Sequence, residues 1–356
     1  MFELVFMNAM KPAMRKRLPR LALLLLLMLA AVGGHRVYSR NYSQQIELVP
    51  LELDESDPDR KKVGTLTFLN AWELRSDNSD FGGISALAVI DNNRFLAVSD
   101  AGALIGFTLG QSNRMEDSFI AALPGAYGDE ADYRDRDSEG MTRDPSSGRI
   151  WVSYEARHAI RRFSPSLGRI DGTKRLTFTD GWKANGGVEA IARLRDGRFV
   201  LFSETHHRAD SSNSAFLYSG DPVEAGSQTT PFGYRAPEGY RPTDATLLPD
   251  GRLLILNRRI GLPQGFSAKL ALLDPAKIES DKAITPQVIA TLASPLLVDN
   301  MEGLAVTEEN GRIIVWMISD DNFTPLQRTI LMQFALDLPN KKPEAETAPG
   351  FETLTK

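Results

Sequence analysis

The 356-residue sequence contains no cysteine, which excludes disulfides, thiolate metal ligands, cysteine nucleophiles and lipid attachment to cysteine. Only four histidines are present, so a zinc or iron site built from several histidines has few ligands to draw on. Lysine and arginine number 41 against 46 aspartates and glutamates, and the formal charge of −5 gives no basic excess that would attract nucleic acid. We therefore expect no nucleic-acid partner.

Several catalytic signatures are also missing. The segment Gly83-Ile84-Ser85-Ala86-Leu87 fails the G-x-S-x-G pattern at its last position, and no S-x-x-K motif is found. Phosphate-binding and dinucleotide-binding glycine patterns are absent as well. These absences argue against a serine nucleophile of known type and predict no organic cofactor.

The N-terminal residues 1–35 have the pattern of a secretory signal. A basic stretch that ends at Arg20 precedes an apolar run over 21–32, and small residues follow. The run is short of the roughly 20 residues that a membrane span needs, although an uncleaved anchor remains the alternative. We expect an exported chain, periplasmic or secreted, that meets a membrane only through this segment. Residues 36–63 are interpreted as a linker, and the polar residues 339–356 as a disordered tail.

One motif recurs five times along the rest of the chain. Each unit starts with a short polar-apolar segment, continues through a turn of the Asp-Gly or Asn-Gly type and a basic residue, and ends in a dense apolar strand. The units begin at Ile84, Ser138, Val188, Thr243 and Met301.

A hairpin and further strands in every repeat of roughly 50 to 60 residues are typical of β-propeller blades. The sequence therefore predicts an all-β propeller of five four-stranded blades from 64 to 338. The fifth unit lacks a fourth strand, and residues 64–74 form an orphan strand that can supply it and close the ring. Six blades remain an alternative if residues 44–75 build another, whereas a parallel β-helix has much shorter repeats.

In a propeller of this kind, the starts of the innermost strands and the ends of the second strands lie at one mouth of the central channel. We aligned Glu139, Glu189, Asp244 and Glu302 as the acids that begin the innermost strands. A second acidic set ends the second strands, and it consists of Asp100, Glu155, Glu204 and Asp320.

Facing carboxylates repel one another, so a cation or raised pKa values would relieve the ring of acids. Oxygen ligands favour Ca²⁺ or Mg²⁺, and we predict that the first set holds such an ion. The alternative is that each acid binds backbone amides of the neighbouring blade.

Other polar residues fall at the same predicted level. Glu204 and His206 are candidates for proton transfer, while Arg241 and Arg258 are candidates for binding an anionic group. Asn300 is a further candidate for the channel lining. For the histidine and the arginines, exposed loop positions are the alternative interpretation.

The segments DSEGMTRDPSSGRIWVSYE, GGVEAIARLRDGRFVLFSE, RPTDATLLPDGRLLILNR and DNMEGLAVTEENGRI resemble the bacterial family "esterase-like activity of phytase" over about residues 64–336. The resemblance implies an exported β-propeller that hydrolyses phosphoesters or carboxylesters. By this resemblance, the acidic residues of the family's motifs correspond to Glu139, Glu189, Asp244 and Glu302. The chain lacks the Asp-rich signature of the calcium-dependent β-propeller phytases.

Two functional hypotheses follow from the sequence. The first is a metal-assisted phosphoester or carboxylester hydrolase that acts at the channel mouth on a small anionic or ester ligand. The second is a non-catalytic ligand-binding or scaffold propeller of the cell envelope. In both cases we expect a monomer.

Overall fold

A computed structural model describes residues 40–338 apart from 92, 111–113, 127–131, 180, 181, 184 and 262. The predicted signal segment 1–35 and the predicted tail 339–356 lie outside the described residues. Within those that are described, no helix is long and apolar enough to cross a bilayer. The strands belong to one compact unit that begins at Tyr42.

The described strands form five separate antiparallel sheets, with one short parallel pairing. The chain first forms β1 (Glu47–Pro50), β2 (Lys62–Val63) and β3 (Leu66–Arg75). The first blade contains β4 (Ile84–Asp91), β5 (Arg94–Ser99), β6 (Ala103–Leu109) and β7 (Met115–Ala122). The second contains β8 (Ser138–Arg143), β9 (Ile150–Tyr154), β10 (Ala159–Phe163) and β11 (Ile170–Arg175).

The third blade contains β12 (Val188–Arg193), β13 (Phe199–His207), β14 (Asn213–Tyr218) and β15 (Thr229–Tyr234). The fourth contains β16 (Arg241–Leu247), β17 (Leu253–Gly261), β18 (Gly265–Leu273) and, after β19 (Ala283–Ile284), β20 (Gln287–Ala293). The short β19 pairs with the edge of the third blade. The fifth contains β21 (Met301–Glu309), β22 (Arg312–Ser319) and β23 (Ile330–Leu336). Short 3₁₀ helices lie at Tyr133–Asp135, Thr177–Thr179 and Pro275–Lys277.

The fifth blade obtains its fourth strand from the beginning of the propeller. Strand β3 pairs antiparallel with β23, and Ala71 lies opposite Met332. The predicted five-bladed ring closed by an N-terminal strand is therefore confirmed. Pairing the first strand of the propeller with the last blade removes the open edge that a linear array of sheets would leave.

Part of the segment expected to be a linker belongs to this closing sheet. Strand β1 pairs antiparallel with β3, with Glu47 opposite Arg75, and β2 pairs with the start of β3. The Leu53 side chain is only 1% exposed and packs in the core beside the fifth blade. The ordered structure thus begins before residue 64, because apolar positions among the acidic residues of this segment supply it with core contacts.

The blades are joined by aromatic and aliphatic side chains packed between neighbouring sheets. Trp316 of the fifth blade lies edge-on to Phe95 of the first blade, with ring centroids 4.8 Å apart. The indole N–H of Trp316 donates to Thr307 Oγ1 at 3.0 Å, so this buried polar group is satisfied. In a chain without disulfides, burial of this kind supplies the stability of the ring.

Candidate functional site

All five innermost strands contain an irregularity near their first residues. Their pairing with the second strand shifts register there, so one or two residues bulge out of the ladder. A bulge re-aims a side chain that regular pleating would direct elsewhere. The residues at the shift are Ser85, Glu139 with Gly140, Glu189, Thr243 and Glu302.

Four of them, Ser85, Glu139, Glu189 and Glu302, line a cavity of about 780 Å³ at one mouth of the channel, whereas Thr243 is buried and donates to the backbone oxygen of Met301. The lining includes eleven of the twelve residues that the sequence predicted for the site. They are Glu139, Glu189, Glu302, Asp100, Glu155, Asn300, Asp320, Glu204, His206, Arg241 and Arg258. The innermost and second-strand acids therefore meet at one mouth, as the blade pattern predicted.

Asp244 is the residue that the structure does not bring into this lining. Pro242 lies opposite Asn257 and Asp244 opposite Leu256, so Thr243 is the bulged residue in the fourth blade. Our alignment of this repeat was thus one residue out of register. The buried Asp244 carboxylate instead accepts hydrogen bonds from the backbone N–H groups of Ala245 at 2.8 Å and Leu304 at 2.7 Å. Asp244 thereby links the fourth blade to the fifth. It has the structural role named above as the alternative for these acids, which is to bind backbone amides of the neighbouring blade.

One part of the pocket is acidic and contains the most tightly clustered carboxylates. Oxygen atoms of Asp137, Glu139 and Glu155 lie within 4.8 Å of one another. The backbone N–H of Gly187 donates to Glu155 Oε1 at 3.2 Å and fixes that carboxylate from the neighbouring blade. Asp100 Oδ1 is buried nearby and has no hydrogen-bond partner among the described residues. These oxygens can serve as ligands of a hard cation.

The other part of the pocket has its own cation. Arg258 Nη2 lies 2.8 Å from Glu204 Oε1 and 3.1 Å from Glu302 Oε1, while Nη1 donates to Asn300 Oδ1. Arg241 Nη1 lies 3.6 Å from the second oxygen of Glu204, and its side chain is 56% exposed at the mouth. Burial raises the pKa of Glu302 to about 8, although Arg258 opposes this shift. Arg258 therefore bridges acids of the third and fifth blades.

The pKa values of five further acids of the lining are raised. Burial raises the pKa of Glu155 to about 7 and that of Asp320 to about 7. Burial, together with a neighbouring carboxylate, raises the pKa of Asp100 to about 6. The pKa values of Glu139 and Glu189 lie well above the usual range, first because of burial and then because of nearby acids. Either protons or a cation must therefore relieve the repulsion.

An aromatic wall lies beside the acids of the third blade. The rings of Trp182 and His206 are stacked, with centroids 4.2 Å apart and an angle of 15° between planes. His206 Nδ1 lies 2.9 Å from Ser214 Oγ, and burial lowers the pKa of this imidazole. Both rings border the cavity. The histidine is thus held in place rather than free in a solvated loop.

Sequence reasoning missed Trp182 and the neighbouring Lys183 as lining residues. They lie between β11 and β12, in a connection that does not repeat from blade to blade, so no periodic signal marked them. Asp137 was also left out of the predicted site, although it directly precedes the aligned Ser-Glu-Gly segment. Its position in that motif was a usable signal, because a residue just before an innermost strand lies at the same mouth.

These features define a five-bladed β-propeller with an acidic pocket at one channel mouth. The chain belongs to the phytase-like family described as "esterase-like activity of phytase", whose model matches residues 79–323. The match spans all five innermost strands and ends just after the second strand of the fifth blade.

Solved structures with a similar fold have low sequence identity. The chain is similar to the Malassezia sympodialis allergen Mala s 1, with 13% identity, a TM-score of 0.43, and coverage of 74% of this chain and 96% of the allergen. It is also similar to Kuenenia stuttgartiensis hydrazine synthase, with 10% identity and a TM-score of 0.36. That match covers 70% of this chain and spans 59% of the hydrazine synthase chain. No curated protein sequence matches the chain significantly.

Proposed function

We propose that the protein is an exported, metal-assisted hydrolase of phosphoesters or carboxylesters that acts in the acidic pocket as a monomer. The observation that carries the proposal is the close group of Asp137, Glu139 and Glu155, whose oxygens lie within 4.8 Å of one another. Arg258 compensates the acids on the opposite side of the pocket. A divalent cation would compensate the negative charge of Asp137, Glu139 and Glu155.

The donor set fits Ca²⁺ or Mg²⁺. It consists of carboxylate oxygens alone, which these hard cations prefer, and the chain has no thiolate that would favour a softer metal. The unpartnered Asp100 Oδ1 adds a buried oxygen that lacks a donor. When bound, such an ion supplies Lewis-acid polarisation of a phosphoryl or carbonyl oxygen.

The chain's own residues would bind the substrate and move the proton. The exposed guanidinium of Arg241 is placed to attract an anionic group at the mouth. His206 has a lowered pKa and is therefore neutral near pH 7, so its imidazole can accept a proton. The bond to Ser214 and the stack on Trp182 fix the orientation of that ring.

The serine hydroxyls around the pocket favour attack by water, because Ser214, the serine bonded to the His206 ring, does not border the cavity. Ser138 Oγ donates to the backbone oxygen of Ser99 at 2.7 Å, and Ser85 Oγ donates to that of Gly83 at 3.3 Å. Neither hydroxyl contacts a histidine that would activate it in these bonds. A water molecule oriented by pocket carboxylates is the attacking group that fits this arrangement.

A second candidate function is ligand binding without chemistry. The observation that favours it is Arg258, which holds Glu204 and Glu302 together. Because Glu204 is engaged in this way, it is less available for proton transfer. In that case the propeller would hold a small ligand at the mouth and release it unchanged.

Turnover of an aryl phosphate and an aryl ester, measured with a chelator and again with Ca²⁺ or Mg²⁺ restored, tests the proposal. We expect hydrolysis of at least one substrate, lost with the chelator and regained with the ion. Native mass spectrometry should show the ion on the wild-type protein, and Glu139→Gln should weaken its binding by at least about tenfold.

The matched control is Glu308→Gln, which makes the same charge change on an exposed residue at the other end of the channel. This variant should bind the ion and turn over substrate as the wild type does. Absence of turnover under every condition, combined with ligand-dependent stabilisation, would establish the binding function instead.

A further inference from the structure

Trp182 is placed unlike the other tryptophans of the chain. The remaining three, Trp72, Trp151 and Trp316, are only 2%, 3% and 1% exposed. Trp182 is partly exposed and borders the acidic pocket. A large aromatic side chain on the wall of a polar cavity is available to a ligand, and ligand pockets are commonly lined by such groups.

The wall that contains Trp182 is rigidly supported. Phe178 and Phe216 stack on each other with centroids 3.7 Å apart, and the Trp182 ring lies 5.9 Å from Phe178 and 6.3 Å from Phe216. His206, the other ring of the stack, is held by the contact between its Nδ1 and Ser214 Oγ. Support of this kind presents a fixed ring face, so binding to it costs little side-chain ordering.

The geometry also limits how a ligand can use this wall. The rings of Trp182 and His206 are 4.2 Å apart, whereas inserting a third ring between them needs about 7 Å. A ligand ring would therefore extend the stack or lie along its edge. At either place it would remain close to Glu204 and Thr205, which border the same cavity.

We propose that Trp182 and His206 form a subsite for the ring of the leaving group, so that the pocket selects ring-bearing esters over straight-chain ones. This inference rests on the proposed hydrolase function for its catalytic consequence. The acidic group supplies the place for the ion and the ester, and the aromatic wall supplies affinity for the group that departs. Trp182 thus acts on specificity rather than on the bond that breaks, whereas His206 borders the ring and also accepts the proton.

Two pairs of probes separate the ring from the ester chemistry. Benzyl phosphate and heptyl phosphate, or the corresponding acetates, have leaving groups of the same alcohol class, but only the benzyl group has a ring. Trp182→Leu should lower the benzyl-to-heptyl ratio of kcat/KM roughly two- to tenfold, the range expected for loss of an aromatic pair. Trp182→Phe should keep most of the ratio. A merely structural role would lower kcat/KM for both substrates in parallel, and that result would overturn the inference.

A binding measurement that needs no turnover completes the test. Because Trp182 is partly exposed and borders the pocket while the other three tryptophans are buried, changes in tryptophan fluorescence on ligand binding report on the pocket. In the presence of Ca²⁺, benzylphosphonate should change this emission at lower concentration than heptylphosphonate, and Trp182→Phe should abolish the change. Phe119→Leu, at an exposed position of β7, is the control and should behave as the wild type.

The outcomes distinguish the two proposals. Ring-selective binding without any turnover would refute the hydrolase function and leave the subsite standing. Turnover with a benzyl-to-heptyl ratio that Trp182→Leu does not change would refute the subsite and leave the hydrolase standing. Failure to bind either phosphonate, together with no turnover of any of the four esters, would refute both.

Discussion

Replacing Asp320 with asparagine should make the metal-free protein more stable, and increasingly so as the pH rises. Asp320 directly follows β22 and is buried, with a carboxylate that accepts from Asn322 N and, at 3.1 Å, from Asn300 Nδ2. Burial raises the pKa of this carboxyl from 3.8 to about 7. The folded protein therefore keeps a proton that the unfolded chain loses, so stability is greatest below about pH 4 and falls as the pH rises towards 7.

The size of the effect follows from the shift. One group whose proton is held only in the folded state contributes about 1.4 kcal/mol per pH unit. Across the window from pH 4 to 7 this amounts to at most about 4 kcal/mol, and in a protein of this size about 1.4 kcal/mol per pH unit corresponds to about 2 °C in Tm per pH unit. Asparagine has nearly the same shape and does not titrate, so Asp320→Asn removes this contribution.

Thermal or urea unfolding of wild type and Asp320→Asn, in excess chelator from pH 4.5 to 7.5, measures the difference. We expect the Tm values to coincide near the acidic limit and to separate by about 2 °C per pH unit above it. Glu308→Gln, an exposed position at the other channel mouth, should follow the wild type. Parallel curves for wild type and Asp320→Asn would refute the reasoning, because they would mean that Asp320 titrates alike in both states.

Three further substitutions test the site by other means. Gly187→Ala would place a Cβ 2.9 Å from Glu155 Cα, so it should weaken ion binding about tenfold or more in calorimetry, whereas Gly220→Ala, with open space around it, should not. Arg258→Gln leaves two buried acids without their cation and should cost about 3–5 kcal/mol in urea unfolding at pH 8; unchanged stability would contradict the bridging role. Asp244→Asn should leave ion affinity unchanged in calorimetry, because this carboxylate accepts from backbone N–H groups and does not line the cavity, and a loss of affinity would restore this residue to the metal site.

The fold was accessible from sequence because its signals are local. Turns such as Asn310-Gly311, where both residues have positive φ (51° and 74°), mark a hairpin wherever they separate two apolar runs. The orphan strand at 66–75 was recognisable because one repeat lacked a partner for its edge. The start of the closing sheet was harder to predict, since β1 has four residues and lies in an acidic segment.

The site was accessible only in part, because its details depend on contacts between blades. The Thr243-Asp244-Ala245 segment resembles Val188-Glu189-Ala190, and only the strand pairing shows that the bulge falls on Thr243. The partners of Arg258 come from two other blades, and no spacing in the sequence identifies them. Periodicity cannot reveal a residue such as Trp182, which lies in a connection that occurs once.

The departures of the fourth blade from the repeat determine where a cation is needed. Its bulge position holds Thr243 rather than an acid, and its second strand has Arg258 at the position where the other blades have an acid. From this position the guanidinium reaches acids of the third and fifth blades on either side. The acids of the second blade, Glu139 and Glu155, lie on the side of the mouth away from Arg258. In a ring of five equivalent blades, the acids would repel one another evenly around the mouth. Replacing the acids of one blade by threonine and arginine confines the uncompensated negative charge to one side of the mouth. A divalent cation on that side would complete the pocket.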